Sequence, residues 1–262
     1  NLAIEKSQKA IRLQIIQKKP KKDPKRMHDP KYIAFMNQEE YNKYIDDAWL
    51  LLGKSQFHTA DFLAAVSSFT YVVRHYAHDE NSVTEAKIWM ARAYAEMGWF
   101  YEAEDIIYKL NEVEMPRYLS ILYACVVADL NLKQGNYKNA IPYLEIAVEE
   151  ERDKYQRARF SYILAQLYKE SGEKEKAQEF FERVIKMHPN YEMQFNAKIE
   201  SAEVSNGENS DDMLKDLQKM AKDDKNKDYL DRIHYAIANI YKQQGNEEKA
   251  IENYKLAVEK ST

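Results

Sequence analysis

The sequence predicts an all-α chain, an α-solenoid of about six helix–turn–helix units. Three observations carry this expectation. Only 6 Gly and 6 Pro occur in 262 residues while 45% are apolar, which favours helix, leaves few hairpin turns and still allows a packed core. A glycine–alanine pair recurs, in GWFYEAEDIIYKL from Gly98, GNYKNAIPYLEIAV from Gly135, GEKEKAQEFFERVI from Gly172 and GNEEKAIENYKLAV from Gly245. The glycines are spaced by 37, 37 and 73 residues, so the last interval should hold a degenerate copy, its turn near residue 209 in SNGENSDD. The segments before the glycines, such as IWMARAYAEM, FSYILAQLYKE and IHYAIANIYKQ, repeat apolar residues at the helical period.

Residues 1–36 read as a basic helix and a Pro-rich linker, ahead of a repeat array over 37–262. Residues 1–19 alternate apolar and basic positions at helical spacing and fit the second half of a repeat whose first half is missing. Residues 20–31, PKKDPKRMHDPK, hold three prolines and five cations and predict an extended linker. Residues 37–46 should start the helix that runs through Trp49. The units then fall at 46–79, 84–116, 121–152, 158–189, 195–222 (the degenerate one) and 231–262. In the first unit Ala60 takes the glycine place. Each glycine ends a first helix, because a left-handed cap costs glycine little. Ala65, Ala103, Ala140, Ala177 and Ala250 let two helix backbones approach. The large residue four later (Phe69, Ile107, Leu144, Phe181, Tyr254) fills the groove beside that contact. Pro116 and Pro189 should stop the second helices of their units.

The 158–189 unit carries Leu164, Ala165, Tyr168, Gly172, Ala177, Phe181 and Pro189, and the first unit opens with Trp49, Leu52 and Gly53 in a W-x-x-L-G pattern. These residues resemble the tetratricopeptide repeat (TPR). The usual period is about 34 residues, so the spacing of 37 predicts slightly longer connections between repeats. The resemblance implies a right-handed superhelix with a concave groove, lined by positions 2, 5, 9 and 12 of each first helix. Position 9 supplies Lys54, Arg92, Asp129, Gln166, Glu203 and Asn239, and position 5 supplies Tyr162 and Tyr235; these eight are the candidate partner-binding residues. The other position-5 residues, Leu50, Ile88, Cys125 and Ile199, equally fit packing between helices. Position 2 reads Asp47, Glu85, Leu122, Arg159, Asn196 and Arg232. A polar ladder beside an aromatic one suits an extended peptide or a partner helix.

Signals for chemistry are few. There is no phosphate loop, no GxSxG, no HExxH, and the single cysteine, Cys125, excludes internal disulfides and CxxC sites. His75 and His78 form an HxxH beside Asp79 and Glu80, but at a helix end where a solvated loop is expected. The sequence therefore predicts no catalytic residue, no cofactor and no metal site. The formal charge of −4 is uneven: residues 1–31 hold ten Lys/Arg against three acids, and the remainder has 29 basic and 40 acidic residues. The basic tract reads as a solvated lead-in or as a contact for nucleic acid, anionic lipid or an acidic protein face. The acidic remainder argues against nucleic acid as a main ligand. No apolar run approaches bilayer-spanning length. A chain that begins at Asn1 suggests processing or excision.

Several stretches are more specific than the repeat. AIEKSQKAIRLQIIQKKPKKDPKRMHDPKY followed by EEYNKYIDDAWLLLGKSQF, and HPNYEMQFNAKIESAE running on to LQKMAKDDKNKDYLDRIHYAIANIY, resemble the SprE/PorW lipoprotein family of Bacteroidota over essentially the whole chain. The resemblance implies a non-enzymatic scaffold at the periplasmic face of the outer membrane. It would serve type IX secretion and gliding motility, bind protein components of that machinery, and be tethered by a lipid anchor outside this chain. The alternative expectation is a TPR module that captures a small molecule or glycan in the periplasm.

Overall fold

The computed structural model describes residues 2–38, 40–205 and 210–261. Among the described residues are fourteen α-helices, two short 3-10 segments and no strand. No helix there is long and apolar enough to cross a membrane. The chain divides into two compact units, residues 1–135 and 136–262.

The first unit holds α1 (Leu2–Leu13), α2 (Pro30–Met36), α3 (Ile45–His58), α4 (Phe62–His75), α5 (Glu80–Glu96), α6 (Phe100–Leu110) and α7 (Arg117–Lys133). α1 packs on α3 and ends at Leu13, short of the expected residue 19. The stretch 20–31 is not uniformly extended. Asp23 and Asp29 each precede a proline, and each carboxylate accepts the backbone N–H two residues on, Lys25 at 3.0 Å and Lys31 at 2.9 Å. A capping aspartate followed by a proline, whose missing N–H would have been unpaired anyway, is a strong helix start. The first pair opens a one-turn 3-10 segment (Pro24–Arg26) and the second opens α2. α3 starts at Ile45, near the end of the 37–46 stretch expected to start it. Side chains occupy the backbone donors before it: Asn42 N–H donates to Glu40 Oε1 at 2.7 Å, and Tyr44 N–H to Asn42 Oδ1 at 3.1 Å.

The core of this unit is aromatic. Trp89 meets Phe57 edge-on at 5.2 Å and stacks near Phe69 at 6.2 Å, over the fully buried Ala65, Ala86 and Ala93. Gly53 belongs to the same core: a Cβ built there would lie 2.5 Å from the Phe69 ring, so the W-x-x-L-G glycine is a packing requirement. The buried Asp46 carboxylate accepts from Ser82 Oγ at 2.9 Å and ties α3 to α5. Pro116 does not stop α6, which ends at Leu110; its extended backbone forms the N-cap of α7 instead.

The second unit holds α8 (Tyr137–Glu150), α9 (Lys154–Glu170), α10 (Lys174–Lys186), α11 (Tyr191–Val204), α12 (Ser210–Ala221), a 3-10 segment (Asp224–Tyr229), α13 (Leu230–Gln243) and α14 (Glu247–Lys260). Gly172 shows how the turns work. With φ of +82° it lets its own N–H reach Lys169 O at 3.1 Å while Glu173 N–H reaches Tyr168 O at 2.9 Å, satisfying two carbonyls at the end of α9. Ala60 adopts the same left-handed backbone, φ +61°; its N–H reaches Phe57 O and the Asp61 N–H reaches Gln56 O, each at 2.9 Å, so it does stand in for the glycine. His188, φ +48°, does this at the end of α10, immediately before Pro189. The expected turn near residue 209 falls on 206–209, outside the described residues. In this degenerate copy α12 packs more against α13 than against its own partner α11. One spacing of 37 beyond Ala177 and Phe181 stand Leu214 and Gln218, a large residue where the small one belongs and an amide where the wedge belongs.

The extra length of the repeat lies in helix, not in connections. α5, α7 and α9 each run 17 residues, starting four residues before the expected unit starts at 84, 121 and 158. Asp79 and Asp153 cap α5 and α9 there, the latter accepting Gln156 N–H at 2.8 Å. The capping aspartates outrank the later onset of apolar periodicity.

Ala177 and Phe181 are fully buried, so Ala177→Leu should overpack the α9–α10 pair and cost about 1–3 kcal/mol. Gly53→Ala should cost a similar amount through Phe69. Urea midpoints of both variants measure this, and an unchanged midpoint for either would show that the pair is not packed through that residue.

Candidate functional site

The first helices of the repeats carry the candidate residues, and within each unit a cation joins one first helix to the next. In the first unit Lys54 Nζ on α3 pairs with Glu85 on α5 at 2.5 Å. Lys133 on α7 bridges to Glu96 on α5 at 3.4 Å and to Asp129 on its own helix at 3.3 Å. The Arg92 guanidinium stacks 4.8 Å above Phe57 and 5.0 Å above Trp89. Lys54, Arg92 and Asp129 are thus each half-buried and engaged. Leu50 and Ile88 at position 5 are core residues, as is Ile199 in the second unit.

The second unit gathers more of the expected residues. Lys169 Nζ on α9 donates to Glu200 and to Glu203 on α11, each at 2.6 Å. Burial would lower its pKa, but the two carboxylates outweigh that and hold the ammonium above its ordinary value. Tyr162, half-buried on α9, meets Phe181 edge-on at 5.8 Å. Burial, with Glu200 nearby, pushes its hydroxyl up to about 12. Gln166 lies half-buried one turn further along. On α13, Arg232 Nη1 donates to Asn196 Oδ1 on α11 at 3.0 Å, and its guanidinium lies 5.6 Å from the Phe195 ring. Tyr235 is 50% exposed and contacts the Tyr254 ring at 5.6 Å, while Tyr254 OH donates to Asn239 Oδ1 at 2.6 Å. Glu203 and Tyr235 line one cavity of about 330 Å³ together with Asp231, Arg232 and Tyr254.

Lys169 and Glu200 were missed by the position-9 ladder. Lys169 stands at position 12, three residues after Gln166 on the same helix face, so extending the ladder one step would have found it. The HxxH pair does not converge. His75 stacks on Tyr71 at 4.2 Å, whereas His78 Nδ1 pairs with Gln38 and burial pushes its pKa down. No group of three metal-ligating side chains occurs among the described residues.

The Tyr162 hydroxyl stays neutral in the folded chain at pH values where an unfolded tyrosine ionises, from about 10. Stability is therefore full below about pH 10 and falls as pH rises toward 12, because only the unfolded state releases that proton readily. Tyr162→Phe should show a smaller loss of urea stability between pH 9 and pH 11.5 than the parent; equal losses would show that Tyr162 is not shielded. Lys169→Met strands two carboxylates and should cost about 1–3 kcal/mol at pH 7, read from the urea midpoint.

Tetratricopeptide repeat family models match residues 131–198 and 231–259. Among solved structures, the nearly identical TPR-like repeats assigned to a Podosopora anserina kinesin light chain match with a TM-score of 0.51 and 17% identity. That match covers 70% of this chain and 96% of that one. A second structure of those repeats gives 0.51 and 18%, covering 67% and 92%. A mutant of MamA gives 0.50 and 16%, covering 68% and 93%. No curated protein matches the sequence. At these identities the structures speak to the fold alone, and together with the family models they show an all-α, TPR-type chain carrying tetratricopeptide repeats.

Proposed function

We propose that this chain is a non-enzymatic scaffold that binds protein partners in the cell envelope. It would be a component of, or accessory to, the type IX secretion and gliding machinery, at the periplasmic face of the outer membrane and tethered by a lipid anchor outside this chain. The repeats support the scaffold reading, since TPR proteins generally bind protein partners, and the sequence blocks that resemble the SprE/PorW family support the pathway. The observation that carries the binding site is the α11–α13–α14 face. Elsewhere the cations that join first helices end on carboxylates. Arg232 ends on an amide, with no carboxylate partner among the described residues, beside the exposed Tyr235. A guanidinium that ends on an amide and lacks an ion-pair partner, next to tyrosine rings, suits a peptide that offers a carboxylate and an apolar side chain.

Co-purification of the tagged full-length protein from native envelopes tests this reading. Recovery of a secretion-machinery component is expected, with recovery reduced at least fivefold by Arg232→Ala combined with Tyr235→Ala. Recovery of no envelope component would overturn the proposal. The cavity of about 330 Å³ at Tyr235 and Tyr254 supports a second reading, capture of a small molecule or glycan. A thermal-shift screen in which small molecules raise the Tm and no peptide does would favour that reading.

A further inference from the structure

A dense run of exposed cations lies outside the repeats, between α1 and α2. Lys18, Lys19, Lys21 and Lys22 are exposed, and Lys25 and Arg26 follow on the 3-10 turn. Asp23 is the only acid among these six cations, and its carboxylate is spent capping the Lys25 N–H. Among the described residues only Arg26 of these six has an ion partner, Asp29 at 3.5 Å.

The segment is held in place at both ends. Ile16 N–H donates to Glu40 Oε1 at 3.1 Å, and Ile16 O accepts from Tyr41 N–H at 2.9 Å. Gln14 O accepts from Asn42 Nδ2 at 2.7 Å. At the far end Asp23 N–H donates to Tyr32 OH at 2.7 Å. The four lysines therefore sit on a short closed loop that includes Pro20, and much of the ordering cost of presenting them is met by folding. Exposed aliphatic side chains flank the loop: Leu13, Ile15 at 43%, Ile16 at 47% and Met27.

Lysines on a closed loop with exposed aliphatics at its two ends match the chemistry of an anionic bilayer. There phosphates meet the ammonium groups and the aliphatics enter the headgroup boundary. Nucleic acid is the poorer match. Residues 13–27 contain no aromatic side chain to stack on a base and only one arginine, and the rest of the chain is acidic. An acidic protein face would satisfy the lysines and leave the aliphatics unused. We propose that residues 13–27 form a docking surface for an anionic lipid bilayer. It is separate from the α11–α13–α14 face and independent of the partner-binding reading.

Vesicle sedimentation of the full chain tests this, with vesicles of 30% phosphatidylglycerol in phosphatidylcholine against pure phosphatidylcholine at 50 mM salt. Partition to the anionic vesicles should be at least about tenfold stronger, and should weaken steeply by 300 mM salt. Each lysine near an anionic surface is worth about a fivefold change in partition. The combined Lys18→Gln, Lys19→Gln, Lys21→Gln, Lys22→Gln variant should therefore lose more than tenfold. Ile15→Ser with Ile16→Ser should weaken partition several-fold while leaving the far-UV spectrum and Tm unchanged. The proposal is overturned by absence of partition to anionic vesicles at 50 mM salt, or by unchanged partition of the four-lysine variant. It is equally overturned by tighter binding to a 20-base-pair duplex than to vesicles with no effect of the isoleucine changes, or by a self-association that the lysine changes abolish.

Discussion

Close approach of two helix backbones at an alanine is the contact on which the rest of each unit depends. Ala65, Ala103 and Ala177 are fully buried, and Ala250 nearly so. The residue one turn later then wedges into the groove that this approach leaves, as Phe69 and Phe181 do with no exposed surface. The wedge in turn fixes its neighbours. Phe69 forbids a side chain at position 53, and Phe181 sets the ring face that Tyr162 meets. The left-handed residues at the turns serve the same end, because they reverse the chain within three residues and return the second helix to the first at the alanine.

The polar ladder looks different once its partners are known. Two of its members are tied by ion pairs to a neighbouring first helix, Lys54 to Glu85 and Glu203 to Lys169, and Lys133 adds a further link to Glu96. A half-buried carboxylate already engaged by a lysine is a poor site for a ligand, since a newcomer must replace a charge-assisted bond before making its own. Arg232, which ends on an amide and not on a carboxylate, and Tyr235, half of whose surface is in solvent, differ from these positions in that respect.

Much of the fold was legible from the recurring glycine–alanine spacing, because each of those residues answers a local demand that no other residue type meets as cheaply. Ala60 was legible for the same reason, by its place in the pattern. What was not legible depended on competition between signals. Apolar periodicity begins late in α5 and α9, but Asp79 and Asp153 start the helices a turn earlier. Proline was read as a stop at 116, where the structure uses it as a start, and the Asp–Pro pairs at 23 and 29 were read as linker. At the site, the spacing located the half-buried positions but not their occupants' partners. Whether Glu203 is free or bound is decided by Lys169, 34 residues away on another helix, and no single-helix pattern records that distance.

The degenerate fifth copy carries a consequence for how order spreads through the second unit. Among the described residues its two helices share less packing than α12 shares with α13. Yet α11 is gripped from one side by Lys169 and from the other by Arg232, and α12 leans on α13. In a one-dimensional array, stability is divided between the intrinsic strength of each copy and its coupling to the next. In this copy the coupling is visible on both sides. With α11 tied to both neighbours and α12 resting on α13, the described helices of this copy should order together with the flanking copies and not ahead of them.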